Sequence, residues 1–282
     1  MEERFEQFIR ERQYLQNVSP RTIQWYRESL KWLPCVAPSQ DQLTETVIQM
    51  RERGRKATGC NATIRAINAY MHWSTGAKRK CGAGCEHPRI QELKEPQEVL
   101  PTFTEAQIKR LLGAKPKGKY QRRIHVLVLF LLDTGCRISE ALGVQVRDID
   151  FDNLLVTLDG KGGKQRVVPF SFELRRVLFL HSKDCPAERL LFSTRTQTQL
   201  GRRDMLRDVK LHCERHGVAP PTRTLHAFRH TFAVNYLRRG GSVFHLQKVL
   251  GHTSLDMTRR YANLVTTDLQ AVHERVSLLS KR

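Results

Sequence analysis

Three prolines, Pro88, Pro96 and Pro101, stand among charged residues and interrupt every periodic pattern between about residues 86 and 102. Proline lacks a backbone N–H and disfavours helical geometry in the residue before it, so this segment is expected to separate two folded parts. A chain of 282 residues is long enough for two ordinary domains. The sequence therefore predicts a helical domain over residues 1–90, a linker over 91–102 and a second domain over 103–282.

The first domain has the pattern of short helices joined by turns. Ser19 followed by Pro20 is typical of a helix start, with an N-cap residue and proline in the first helical position. Apolar side chains then recur at helical spacing, and similar patterns follow over residues 41–53 and 62–73. An all-helical domain is predicted.

The second domain has mixed patterns. Thr104, with Gln107 three residues later, resembles a capping box that starts a helix, and a helix over 121–133 is expected to end near Gly135. Residues 154–169 differ, because β-branched residues flank a glycine-rich reversal, which predicts a β-hairpin. Helices are expected from about residue 171 onward. The predicted fold class is mainly α with a small β-sheet (α+β).

The charge of the chain limits its partners. Forty-eight Lys and Arg residues against 28 Asp and Glu residues give a formal net charge of +20. Single basic runs are often only solvated surface, but an excess of this size indicates a polyanionic partner, usually nucleic acid. The longest apolar run, residues 126–132, is too short to span a bilayer, and the N-terminus does not resemble a secretion signal. We expect a cytoplasmic protein that does not bind a membrane.

The cysteines favour the same compartment. Seven cysteines without a signal sequence fit a reducing environment better than a disulfide framework. Cys81, Cys85 and His87, with Cys60 upstream, have the side chains that a zinc site requires. Their spacing matches no common zinc ribbon or finger, so unpaired thiols are favoured and no metal is expected.

Four short segments carry the strongest functional signal: TGCRISE (134–140), LHAFRH (225–230), VLGH (249–252) and RRYANL (259–264). Their order and spacing resemble the tyrosine recombinase (phage integrase) family of Xer-like site-specific recombinases. The resemblance covers nearly the whole chain and is strongest from about residue 100. It implies a core-binding domain followed by a catalytic domain with a C-terminal tail, and these catalytic residues: Arg137, Lys161, His226, Arg229, His252 and Tyr261.

These residue types suit transfer of a phosphodiester without a metal. The reaction needs a nucleophile, stabilisation of a negatively charged phosphorane and a proton for the leaving oxygen. Arg137 and Arg229 offer planar, permanently charged donors for phosphate oxygens. A tyrosine hydroxyl has a pKa of about 10 and needs help to attack at neutral pH. The resemblance makes Tyr261 the nucleophile and His226 its proton acceptor.

The remaining site assignments also follow from the resemblance. His252 is expected to support the site and donate to the phosphate, and Lys161 at the hairpin tip is expected to protonate the leaving 5′ oxygen. Lys164 competes for that role, because a two-glycine turn leaves the register open. Glu140 has two equal interpretations, a carboxylate that orients a site cation or a solvated one. His230 is interpreted as a helix-packing residue outside the site.

The resemblance further implies the partners. The partner would be double-stranded DNA, with a homotetramer assembled on two DNA sites and a Holliday junction formed through 3′-phosphotyrosyl bonds. No cofactor and no small-molecule substrate are expected, and the protein would lie near the nucleoid of a bacterial or archaeal cell. An apolar stripe after Tyr261 predicts a tail that docks on a neighbouring protomer or on its own domain. The alternatives are a type IB topoisomerase-like enzyme and a non-catalytic architectural DNA-binding protein.

Overall fold

The structure is a computed structural model, and it describes residues 2–76, 88–96, 100–160, 163–262 and 277. The chain divides into two compact units, Met1–Glu98 and Val99–Arg282, and the division falls within the predicted linker. Several predictions concern residues outside the described ranges. These are Lys161, Cys81, Cys85, His87 and the C-terminal tail after Ala262.

The first unit is helical. Ser19 caps the second helix, since its side chain accepts a hydrogen bond from the backbone N–H of Thr22, and Pro20 occupies the first helical position as predicted. The core of the unit includes aromatic side chains, of which Phe8 and Tyr70 pack edge to face at a ring-centroid distance of 5.5 Å. The described helices are α1 (Glu2–Tyr14), α2 (Pro20–Leu30), α3 (Gln40–Glu52) and α4 (Ala57–Ser74).

The second unit contains more helices and the sheet. Thr104 forms the predicted capping box with Gln107 at the start of its first helix. The apolar run of residues 126–132 lies in α6, where most of its side chains are buried in the core. The described helices are α5 (Glu105–Leu112), α6 (Gly118–Thr134), α7 (Ile138–Ala141), α8 (Phe172–Ser182), α9 (Arg202–Arg215), α10 (Thr224–Arg238), α11 (Val243–Leu250) and α12 (Leu255–Ala262).

The sheet has three antiparallel strands in the order β1 (Ile149–Asp150), β2 (Leu155–Asp159) and β3 (Gln165–Pro169). Strands β2 and β3 form the predicted hairpin, with Val156 opposite Val168. Both valines are fully buried, so the alternation of the strands turns one face of the hairpin toward the core. The sequence did not predict β1, because two residues are too few to show alternation. The predicted fold class, mainly α with a small sheet, is confirmed.

A glycine sets the direction of the chain between α6 and α7. Gly135 has a φ of +61° and ends α6 in the left-handed conformation. A Cβ atom at this position would lie 2.2 Å from the Phe232 ring. Glycine is therefore required both by the backbone angle and by the packing, and the turn that it makes leads directly into Arg137. Within the described part of the chain, no helix is long and apolar enough to cross a membrane.

Candidate active site

Arg229 connects two parts of the site through backbone contacts. It lies on α10, is almost completely buried, and donates from Nη1 to the carbonyl oxygen of Gly135 at 3.1 Å and from Nη2 to that of Leu250 at 2.7 Å. Burial, followed by repulsion from Arg137, lowers the pKa of Arg229 to about 10. The side chain thus remains a cation at neutral pH.

Glu140 holds two arginines. Its carboxylate is buried and accepts hydrogen bonds from Arg137 Nη1 at 2.7 Å and from Arg166 Nη1 and Nη2 at 2.9 and 2.8 Å. It also accepts from the backbone N–H of Arg137 at 2.7 Å. Burial acts to raise the pKa of Glu140, but these hydrogen bonds outweigh it and lower the pKa to about 2. Of the two predicted interpretations, the orienting carboxylate agrees with the structure.

Arg166 lies on β3 and was not singled out from the sequence. In addition to its bidentate contact with Glu140, it donates from Nε to the carbonyl oxygen of Val249 at 2.9 Å. A Cβ atom at Gly251 would lie 2.9 Å from its Cδ, so the glycine leaves room for the Arg166 side chain. This arginine therefore links the hairpin, the Arg137 segment and the end of α11. Its only sequence signal is a charged residue beside the two valines of β3.

Tyr261 on α12 is buried, with 4% of the residue exposed. Its hydroxyl lies 2.9 Å from Nδ1 of His230. The ring of His252 is nearly parallel to the Tyr261 ring, at a centroid distance of 6.2 Å and an interplanar angle of 7°. His252 is itself fixed by a 2.9 Å contact between its Nδ1 and Thr258 Oγ1. The tyrosine is thus flanked by two histidines.

The titration of these groups follows from burial and positive charge. Burial raises the pKa of Tyr261, and the charges of Arg229 and Arg260 offset part of that rise. Burial and neighbouring cations lower the pKa of His230 and of His252 to about 4. Both imidazoles are therefore neutral at pH 7, and each can accept one hydrogen bond while donating another.

His226 lies one turn before His230 on α10 and is exposed. Burial of part of the ring, followed by the charges of Arg202, Arg223 and Arg229, lowers its pKa. Among the described histidines, the one in hydrogen-bonding distance of the Tyr261 hydroxyl is His230. The expectation that His230 only packs between helices misses this contact, and the acceptor role predicted for His226 remains a prediction.

The lysine position is described only in part. Lys161 lies outside the described residues, whereas Lys164 is exposed and its carbonyl oxygen accepts from the backbone N–H of Gly160 at 2.8 Å. The choice between the two lysines stays a prediction. In the ranges that the structure describes, no three His, Cys, Asp or Glu side chains are grouped so that they could hold a metal ion.

The described site thus contains a buried tyrosine beside a buried arginine, a second arginine held by a carboxylate, and neutral histidines. These side chains suit an enzyme that transfers a phosphodiester through a tyrosine. Residues 101–267 match the model of the phage integrase family. The chain belongs to this family and is a tyrosine recombinase. The family and the enzyme class predicted from the sequence are confirmed.

The chain is similar to known recombinases, to some of them over nearly its whole length. Tyrosine recombinase XerA of Pyrococcus furiosus is 28% identical over 272 residues, which cover 94% of this chain and 91% of the relative. Tyrosine recombinase XerD of Bifidobacterium longum is 32% identical over 59% of each chain. The fold is similar to that of the Tn1549 transposon integrase in complex with transposon right end DNA, with a TM-score of 0.78, 22% identity and coverage of 97% of this chain and 98% of the other.

Proposed function

We propose that this protein is a site-specific DNA recombinase in which Tyr261 attacks a scissile phosphate and forms a 3′-phosphotyrosyl bond. The released 5′ hydroxyl would then attack the corresponding intermediate on a second duplex. The energy of the broken bond is kept in the phosphotyrosine, so rejoining needs no nucleotide cofactor. The observation that carries the proposal is the position of Tyr261 on α12 beside Arg229 on α10 and beside His252, which follows the end of α11.

The arginines suit the charge of the transition state. Arg229 is fixed by two carbonyl oxygens, and Arg137 is fixed by Glu140, so neither guanidinium needs to be ordered when a phosphate arrives. About 40% of the Arg137 side chain remains exposed, which leaves donors free for a ligand. We assign both arginines to the phosphate oxygens, His252 to a hydrogen bond at the same phosphate, and Lys161 to protonation of the leaving 5′ oxygen. The proton of Tyr261 passes to a histidine of α10, for which His226 is the residue predicted from the sequence.

We assign double-stranded DNA as the partner, in a homotetramer on two sites. The net charge of +20 supports a polyanionic partner. Solved structures with similar folds include XerH site-specific recombinase bound to difH substrate, at a TM-score of 0.70 and 18% identity. As an enzyme that acts on double-stranded DNA, the protein would work at the nucleoid of the cell that makes it.

Capture of the covalent intermediate tests the proposal. Nicked duplexes that tile the genome encoding the protein are incubated with it, and adducts that survive denaturant are isolated and sequenced, which also identifies the DNA site. We expect the wild type to form adducts at defined sites, whereas Tyr261→Phe should retain DNA binding and form none. Tyr236→Phe, which removes a hydroxyl from a partly buried tyrosine on α10, is the matched control and should form adducts normally.

Two outcomes would contradict the proposal. An adduct in Tyr261→Phe would remove this residue from the role of nucleophile. Relaxed circles without recombinants, from a plasmid with two copies of the captured site, would indicate a topoisomerase-like enzyme instead.

A further inference from the structure

The contact between Tyr261 and His230 joins the tyrosine hydroxyl to a ring nitrogen that can accept its proton. Because the pKa of His230 is lowered to about 4, the imidazole is neutral at pH 7 and carries one N–H. The pKa of Tyr261 is raised by burial, so the phenol keeps its proton. In the tautomer with its N–H on Nε2, the imidazole accepts the tyrosine O–H at Nδ1 across this 2.9 Å contact.

We propose that His230 is a catalytic residue that accepts the proton of Tyr261 as the tyrosine oxygen attacks phosphorus. The O–H bond of the tyrosine breaks and its oxygen bonds to phosphorus, while the bond from phosphorus to the 5′ oxygen breaks. The tyrosine proton moves to Nδ1 of His230, and the 5′ oxygen takes a separate proton from the general acid. In rejoining, the imidazolium returns its proton to the tyrosine oxygen. The inference rests on the proposed role of Tyr261 as nucleophile.

The cations around His230 make this transfer depend on DNA. In the free protein the proton has no reason to move, because the same burial disfavours both the phenolate and the imidazolium. His226, Arg229 and Arg260 lower the pKa of His230 further. A phosphate bound to Arg229 brings negative charge close to the imidazole, which favours the imidazolium. We therefore expect His230 to act as a base only when the scissile phosphate is in place.

The geometry also distinguishes His230 from its neighbour. His226 lies on the same helix one turn earlier but is exposed, whereas Nδ1 of His230 already contacts the atom that must lose its proton. A general base must lie within hydrogen-bonding distance of that proton, and His230 meets this condition in the free protein.

The test uses His230→Asn in the full-length protein. The asparagine side-chain oxygen can occupy the position of Nδ1 and accept the same hydrogen bond, but it cannot hold the proton at neutral pH. The single-turnover rate of adduct formation is measured on the duplex captured above. We expect the rate to fall roughly 10²- to 10⁴-fold, the usual size of general-base catalysis, with DNA affinity changed by less than a few-fold. His245→Asn, at an exposed histidine on α11, is the control and should react at the wild-type rate.

Two further readouts separate catalysis from a structural defect. The wild-type rate should level off once the imidazole is neutral, whereas the His230→Asn rate should rise about tenfold per pH unit as hydroxide replaces the base. Fluorotyrosine at position 261, which has a more acidic phenol, should restore much of the lost rate. A 5′-bridging sulfur should not restore it, because the leaving group does not lack a proton.

Several results would overturn the inference. Cleavage by His230→Asn at or above the wild-type rate would show that the hydrogen bond only holds the tyrosine away from DNA. Rescue by the 5′-bridging sulfur would place His230 at the leaving group. If the variant does not fold, the ¹⁵N chemical shifts of His230 in the wild-type adduct report whether its ring is protonated. A ring that stays neutral across the pH range of rejoining would show that His230 does not hold the tyrosine proton. Adducts in Tyr261→Phe would instead refute Tyr261 as the nucleophile, and His230 would then have no tyrosine proton to accept.

Discussion

Replacing Glu140 by glutamine tests how strongly the site depends on one buried carboxylate. The pKa of Glu140 falls from 4.5 to about 2 in the folded protein, even though burial opposes the change. At about 1.4 kcal/mol per pH unit, this fall corresponds to about 3 kcal/mol of stability at pH 7 that depends on the ionised form. Glutamine keeps the size of the side chain but loses its charge, and its amide nitrogen would face an arginine donor.

We therefore expect Glu140→Gln to lower the free energy of unfolding of the second unit by about 3 kcal/mol. For a unit of this size, that loss corresponds to a decrease in melting temperature of roughly 6–12 °C. The measurement is urea unfolding at pH 7 together with a thermal scan. Glu188→Gln, which removes an exposed carboxylate from the same unit, is the control and should change stability by less than about 0.5 kcal/mol.

The dependence on pH gives the sign of the effect. A carboxylate with a depressed pKa stabilises the fold above its unfolded pKa, and this contribution is lost as pH falls toward the folded value. The difference between wild type and Glu140→Gln should thus be complete at pH 7 and shrink to about 1 kcal/mol at pH 3. A difference below about 1 kcal/mol at pH 7, or one that does not change between pH 7 and pH 3, would refute the reasoning.

Two further predictions concern the reaction and the complex. Lys161→Ala should cleave DNA roughly 10²- to 10⁴-fold more slowly and recover on DNA with a 5′-bridging sulfur, because a good leaving group needs no acid. If only Lys164→Ala recovers on this DNA, the general acid is Lys164 and not Lys161. With a net charge of +20, the logarithm of the DNA association constant should fall against the logarithm of salt concentration with a slope of about −5 to −9, as neutralisation of roughly six to ten phosphates requires. A nearly flat dependence, measured by fluorescence anisotropy between low and moderate salt, would contradict an extended phosphate interface.

Local signals in the sequence were sufficient for most of the fold. Ser19 and Pro20 start α2, and Thr104 starts α5, because caps and proline act on the backbone within one turn. Gly135 ends α6 for a similar reason, since few other residues adopt a positive φ without strain. Strand β1 could not be predicted in the same way, because its two residues form a strand only by pairing with β2.

Contacts between distant segments were not predictable from local patterns. Arg137 was found through a short motif, but the chain brings Arg166 to the same carboxylate from a strand 26 residues after Glu140. The contact between His230 and Tyr261 spans 31 residues and depends on how α10 and α12 pack. A histidine in a helix has the same local pattern whether its ring meets a tyrosine hydroxyl or an apolar neighbour, so the sequence alone could not decide between these roles.

The two carbonyl oxygens that hold Arg229 come from the C-terminal ends of two helices, α6 and α11. Each helix end carries a partial negative charge of about half an elementary charge, so two helix dipoles converge on one guanidinium. An arginine side chain loses roughly 2 kcal/mol of rotational freedom when it is immobilised. In this protein the Arg229 side chain is already immobilised by folding. A phosphate that binds there finds the cation in a fixed orientation, so less of its binding energy is used to order the side chain and more is available to lower the reaction barrier.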